Sequence, residues 1–258
     1  MTPFRGTSCF SSGTSLRFVV AAFLLAAISS GQAFPPNPAG STGTIPVVFS
    51  GPGADASLFR TEARLFNQSG VPASGTLVIT PEGPPIRRRS LPYSLGPWEV
   101  QTIDLTLFFA SVDIVPTTGP GPVATVRIFN DLGPVGTFGF SESDVPPTDA
   151  IQSGGQSVLI GPADIGAFRF NVGFSSTLTA GATVSVTVRR GDGSTVGSVS
   201  LLESGFLQLP AEQMIGAPLE PGMSFVFRVT SGAAIIYGVT ADNRTNDTSF
   251  QLARRIGN

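Results

Sequence analysis

Past residue 33, no stretch of the chain sustains apolar residues at the i, i+3, i+4, i+7 spacing that an amphipathic helix requires. Short β-favouring segments appear instead, each closed by Gly, Pro, Asn or Asp. Thirty-one glycines and twenty-two prolines supply the breaks. Most segments place β-branched or aromatic residues at alternate positions, as in Val184, Val186 and Val188 with Ser185 and Thr187 between them. A sheet with one buried face requires that period of two. Candidate strands are Ile45–Ser50, Phe59–Asn67, Gly75–Thr80, Trp98–Leu105, Ala124–Asn130 and Pro134–Ser141. A second series follows at Gln156–Ile160, Ala167–Phe174, Ala182–Arg189, Val196–Glu203, Phe206–Leu209, Met223–Thr230 and Ala234–Thr240. One helical turn is expected near Ala211–Ile215. The fold class is therefore all-β.

The chain has 258 residues, enough for two domains of about 100 residues. The two series read as copies. Leu58-Phe-Arg-Thr61 aligns with Ala167-Phe-Arg-Phe170, and Thr76-Leu-Val-Ile-Thr80 with Ser185-Val-Thr-Val-Arg189, both at an offset of about 109. Val126-Arg-Ile-Phe-Asn130 resembles Phe227-Arg-Val-Thr230 at about 101, and Phe138-Gly-Phe140 resembles Tyr237-Gly-Val239 at about 99. The shrinking offset puts an inserted loop between about Leu105 and Pro122. Turn signals every 8–12 residues point to sandwiches. The expectation is two tandem immunoglobulin-like β-sandwich domains, residues 44–146 and 150–258. They would join at Asp144-Val-Pro-Pro-Thr-Asp149, where two prolines interrupt pairing.

Ahead of them, Arg5 and Arg17 precede the apolar run Phe18–Ile28, then Ser29-Ser-Gly-Gln-Ala33 with small residues at a cleavage site. Positive end, short apolar core and small-residue exit define a secretory signal peptide over residues 1–33. The apolar core is roughly 11–13 residues, short of the ~20 that span a bilayer. No transmembrane segment is thus expected in the mature chain. Residues 34–43 read as a proline-rich flexible leader. Cleavage removes Cys9, the one cysteine, so the mature chain has no disulfide. Export without disulfides points to a bacterial protein that is secreted, extracellular or held in the cell envelope.

Composition then removes whole classes of chemistry. There is no histidine, and all fifteen basic residues are arginine. Without His, Lys or a mature Cys, the usual nucleophile–base pairs, Schiff bases and zinc sites have no components. No catalytic residue, cofactor or metal site is assigned. A carboxylate-based hydrolase stays formally open, because that chemistry needs two acids and seventeen are present. Thirteen scattered arginines against seventeen acids in the mature chain argue against nucleic acid. Apolar content of 41%, charged content of 12% and mean hydropathy of +0.26 mark a folded chain.

At Phe59-Arg-Thr-Glu-Ala-Arg-Leu-Phe-Asn67 and Tyr237-Gly-Val-Thr-Ala-Asp-Asn-Arg-Thr-Asn-Asp-Thr248 the chain resembles a group of uncharacterised repeated domains in secreted proteins of soil bacteria. The resemblance implies extracellular tandem β-sandwich modules, and it transfers no active site. The second copy departs from the first motif, with Phe170-Asn-Val172 in place of Thr-Glu-Ala.

Several motifs have simple structural readings. Arg190-Gly-Asp-Gly193 holds the tripeptide that integrins read, yet Asp-Gly between alternating strands is a hairpin turn signal. Asp242-Asn-Arg-Thr-Asn-Asp247 is rich in oxygen ligands but lacks EF-hand spacing, and a polar loop is favoured over a calcium site. Asn67, Asn243 and Asn246 each open an Asn-x-Ser/Thr glycosylation signal. Arg87-Arg-Arg89 reads as a solvated loop, while Arg60, Arg127, Arg169 and Arg228 recur within strands and take structural roles. Function is expected to be structural or adhesive, through an unknown protein or glycan partner at the cell surface. The alternative is a carbohydrate-binding module in which Trp98 and Tyr93 form an aromatic platform.

Overall fold

A computed structural model describes residues 40–54, 57–83, 88–106, 109–176, 181–203 and 205–257. The expected signal peptide, with Cys9, and most of the leader lie outside the described residues, as does Arg87. The first set of strands is β1 (Gly43–Val48), β2 (Gly51–Pro52), β3 (Leu58–Phe66), β4 (Ala73–Pro81), β5 (Arg89–Leu95), β6 (Val100–Asp104), β7 (Ala110–Thr118), β8 (Val123–Asp131) and β9 (Thr137–Ser143). The second is β10 (Ile151–Gln152), β11 (Gln156–Ile160), β12 (Phe168–Ser176), β13 (Ala182–Arg189), β14 (Thr195–Glu203), β15 (Phe206–Pro210), β16 (Ser224–Ser231), β17 (Ala233–Asp242), β18 (Thr248–Leu252) and β19 (Arg254–Ile256). Helix α1 (Ala211–Ile215) follows β15, at the one position where a helical turn was expected.

Four antiparallel sheets result, and each ladder stays within its own set. The first set gives β1-β7-β4-β5 and β2-β3-β8-β9, with β6 also on β3. The second gives β14-β13-β16-β11-β19 and β10-β17-β12-β15, with β18 also on β17. Alternation explains the packing. In β13, Val184, Val186 and Val188 are buried while Thr183, Ser185 and Thr187 are half-exposed.

Leaving aside β2, β10 and β19, both sets follow one plan. Counted in chain order, the first, third, fourth and sixth strands form one sheet, and the second, fifth, seventh and eighth form the other. The immunoglobulin constant type instead places its first two strands in the same sheet. Here β1 and β3 lie in opposite sheets, as do β11 and β12, so the strand order differs from that type.

This plan corrects the expected loop between Leu105 and Pro122. That stretch carries β7, which lies between β1 and β4. It is buried on both faces over Ala110–Ile114, so no alternation marks it, and Pro116 sits at a register shift opposite Gly75. With β7 in place, β8 matches β17 by position, not β16. The pairing of Val126–Asn130 with Phe227–Thr230 therefore joins strands from different kinds of sheet. β5 was also unanticipated. Its Pro92 interrupts the pattern, and the strand tolerates it because it is a sheet edge.

Each set encloses a core. The second packs Phe170, Val172 and Phe174 of β12 against Val184, Val186, Phe225 and Phe227. The first packs Ile45, Leu65, Leu77, Val112, Ile114 and Val126, and its cluster continues into Phe206, Tyr237 and Val239 of the second set. These three residues project from the far face of the β10-β17-β12-β15 sheet, which is thus buried on both sides. β1 and β9, the edge strands of the first set's two sheets, lie against it. Phe140 stacks on Phe250 at 5.4 Å, and Phe250 stacks on Tyr237 at 5.5 Å. The Ser175 hydroxyl donates to the Pro46 carbonyl at 2.8 Å within this seam. Gly173 is required there, because a Cβ would fall 2.3 Å from the Tyr237 ring. The connecting segment is tied back by reciprocal backbone bonds between Thr44 and Val145, at 2.9 and 2.8 Å.

Candidate functional site

The loops joining β3 to β4 and β5 to β6 meet at one end of the first set. Asn67 holds them together. It is fully buried, and its Nδ2 donates to the carbonyls of Val71 and Gly96, both at 2.8 Å. Its Oδ1 accepts from the Ser69 backbone N–H at 3.2 Å and the Ser69 hydroxyl at 2.8 Å. The Asn67 N–H donates to Glu99 O, the Trp98 N–H donates to Ser69 O at 3.1 Å, and the Glu99 carboxylate receives the Gly96 N–H. So braced, the chain holds Trp98 at φ +60°, a left-handed conformation that a bulky residue adopts only under constraint. Trp98 is 62% exposed, Val71 in the β3–β4 loop is 54% exposed, and Val100 at the start of β6 is 59% exposed.

Tyr93 does not join that surface. It points inward from β5, 3% exposed, and burial raises its hydroxyl above the usual phenol range. The period of the strand decides this, since Tyr93 and Leu95 both face the core. The expected two-ring platform is corrected to one exposed ring with two valines. The brace itself went unread in the sequence, where Asn67-Gln-Ser69 looked like a glycosylation signal. Its side chain is shut away from any glycosylating enzyme, as is that of Asn246.

The remaining motifs serve the fold. In Arg190–Gly193, the Gly193 N–H donates to Arg190 O, Asp192 Oδ1 accepts the Ser194 N–H, and Arg190 pairs with Glu220 at 3.0 Å. In the Asp242–Asp247 loop, Asp242 Oδ1 accepts the N–H groups of Arg244 and Thr245 at 2.8 Å, while the Asn246 Nδ2 donates to Ala54 O. Among the described residues no three His, Cys, Asp or Glu side chains gather as a metal site. Arg60 pairs with Asp131 at 3.2 Å, and Arg127 lies 4.6 Å over the Phe129 ring. Arg88, in the coil before β5, is half-buried near Thr80 and Asp113, whereas Arg89 is exposed as expected but opens β5.

Four acids have raised pKa values, Asp144 among them through burial opposed by the Ala124 N–H. Burial pushes Glu142 well up, only partly offset by the Val47 backbone N–H. Burial also raises Glu82, opposed by the Gln208 N–H. Asp113 is lifted to about 6 by burial, against a hydrogen bond from Thr44 and the charge of Arg88. Tyr237 stands well above the phenol range through burial first, then the Glu142 and Glu82 carboxylates. Glu142 is 6% exposed and, with Asp144 and Asp149, lines a cavity of about 400 Å³.

These features define an all-β protein of paired antiparallel sheets with a rigid aromatic tip. No family model and no curated protein matches the chain. Among solved structures, it is similar to a Bacteroides uniformis beta-glucuronidase 2 covalently bound to cyclophellitol-6-carboxylate aziridine, at 12% identity and a TM-score of 0.16. That likeness covers 83% of this chain and 26% of the glucuronidase chain, and at such a TM-score it decides nothing about activity.

Proposed function

We propose that this chain is an exported bacterial β-sandwich protein, built as two tandem copies of one sandwich. Its role is structural or adhesive, secreted or at the cell envelope. One observation carries the binding role: a braced loop holds Trp98 at a strained positive φ with its ring in solvent. Strain of this kind costs on the order of 1–3 kcal/mol and clusters at ligand contacts. The common strand plan of the two sets supports duplication. The partner is a protein or glycan at the cell surface, contacted through Trp98, Val71 and Val100.

A carbohydrate-binding role is the second reading, favoured by the same exposed indole, which suits stacking on a sugar face. Glycan-array and polysaccharide pull-down with residues 34–258 separate the two. Trp98 is the one tryptophan, so its fluorescence reports the tip directly. Saturable glycan binding with a spectral shift selects the carbohydrate role. If no glycan binds and Trp98→Ala leaves attachment to cell surfaces unchanged, both readings of the tip fail. Export is tested separately, by N-terminal sequencing of the extracellular protein, which should begin at Phe34.

A further inference from the structure

A cavity of about 220 Å³ lies on the seam, where the β10-β17-β12-β15 sheet meets the first set. Its apolar walls include Phe49, Phe109, Phe140 and Val239, and its polar wall includes Arg169 and Gln208. Phe49 and Phe109 stack at 4.3 Å with planes 10° apart, giving one side a flat aromatic edge.

Arg169 is the informative residue. Arg60 holds the corresponding place in β3, and there it pairs with the Asp131 carboxylate at 3.2 Å. By register Asn243 stands where Asp131 does, so that place holds no acid in the second set, and the carboxylate of the neighbouring Asp242 caps Arg244 and Thr245. Arg169 is left with neutral acceptors: Nη1 donates to the Asp242 carbonyl at 3.2 Å, and Nη2 donates to Asn246 Oδ1. Among the described residues its charge meets no carboxylate. Gln208 accepts the Tyr237 hydroxyl at 3.0 Å through Oε1, so its amide nitrogen remains a donor toward the same wall. A guanidinium that lines an aromatic-walled cavity and meets no carboxylate can pair there with an anion from outside.

We infer that this cavity binds a small aromatic carboxylate. Its planar anionic group would meet the planar fork of Arg169, and its ring would lie among the phenylalanines. The volume suits one ring and one carboxylate rather than a long acyl chain. The site is independent of the Trp98 tip.

Benzoate is the probe. Calorimetric titration of the full chain should saturate, and its melting temperature should rise with benzoate concentration. Benzyl alcohol, which keeps the ring, should bind at least about tenfold more weakly, and acetate, which keeps the charge, should not saturate. Arg169→Gln should weaken benzoate by a similar factor, while Arg60→Gln, at the place that already has its acid, leaves it unchanged. Arg169→Lys keeps the charge but not the fork and should fall between. Trp98→Ala should bind benzoate as the unmodified chain does. If Arg169→Gln fails to fold, the ligand series on the unmodified chain decides. The inference is overturned if benzoate does not saturate at millimolar concentration, if benzyl alcohol equals it, or if a folded Arg169→Gln binds it undiminished.

Discussion

The two strand sets share a plan but not their independence. The second closes its core with its own residues, helped by Met214 of α1 and by Leu219 and Met223 in the turn before β16. The first completes its core with Phe206, Tyr237 and Val239 lent by the second. The same plan can thus yield one core closed from within and another completed by its neighbour. What differs is whether the free edges, β1 and β9, are covered from within or from outside.

The strongest test of that asymmetry is a pair of core truncations. Phe227→Ala in the second core should cost about 3–5 kcal/mol and expose amides in both sets, because the first loses its support. Leu77→Ala in the first core should cost about 2–5 kcal/mol while leaving the strands β11 to β17 protected. Hydrogen exchange read strand by strand distinguishes them. Matching protection loss from both variants would abolish the asymmetry.

Acidity should act on the same side. The buried carboxylates among the described residues, Asp113 and Glu142, both lie in the first set. Asp113 holds its proton more tightly folded, at about 6 against 3.8, so its contribution is full below 3.8 and is lost as pH rises through about 6. The loss amounts to about 3 kcal/mol. Glu142 works in the same direction. Asp192, exposed, and Asp242, half-exposed, are held below the usual range by the Ser194 hydroxyl and the Thr245 N–H respectively, and act in the opposite sense. Urea denaturation from pH 4 to 7 should show stability falling with pH, and Asp113→Asn should flatten that slope. A slope retained in full by Asp113→Asn and Glu142→Gln together would remove the cause assigned here.

The tip gives smaller effects that should stop at the first set. Asn67→Ala strips both loops of their brace and should cost about 1–3 kcal/mol, with faster Trp98 depolarisation in fluorescence anisotropy. Trp98→Gly should leave the fold intact and gain about 1 kcal/mol by relieving the positive φ, while abolishing attachment. A destabilised Trp98→Gly would mean the ring packs rather than waits for a partner.

How much of this was written in the sequence follows from which residues carried a period. Strands with one buried face, such as β13 and β11, were legible residue by residue. β7 was not, because a strand buried on both faces has no alternation and its Asp113 and Pro116 read as loop. The seam was equally invisible, since Tyr237 and Val239 look like any inward-facing residues until the other face of their sheet is found covered. At the candidate site, Trp98 could be singled out as the one tryptophan. Its separation from Tyr93 depends on a strand that Pro92 concealed, and its brace was disguised as a glycosylation signal.

The way β1 is held has a mechanical consequence. It is laddered to β7 along one edge, clipped to Val145 at Thr44, and anchored at Pro46 by the Ser175 hydroxyl of the other set. A pull entering at Gly43 therefore loads several bonds at once, three of them reaching outside the first sheet. Such a tether yields in one event rather than by peeling module after module. On the adhesive reading proposed above, the chain under flow would behave less like a spring than like a fuse, rigid to a threshold set by its unfolding rate and then released.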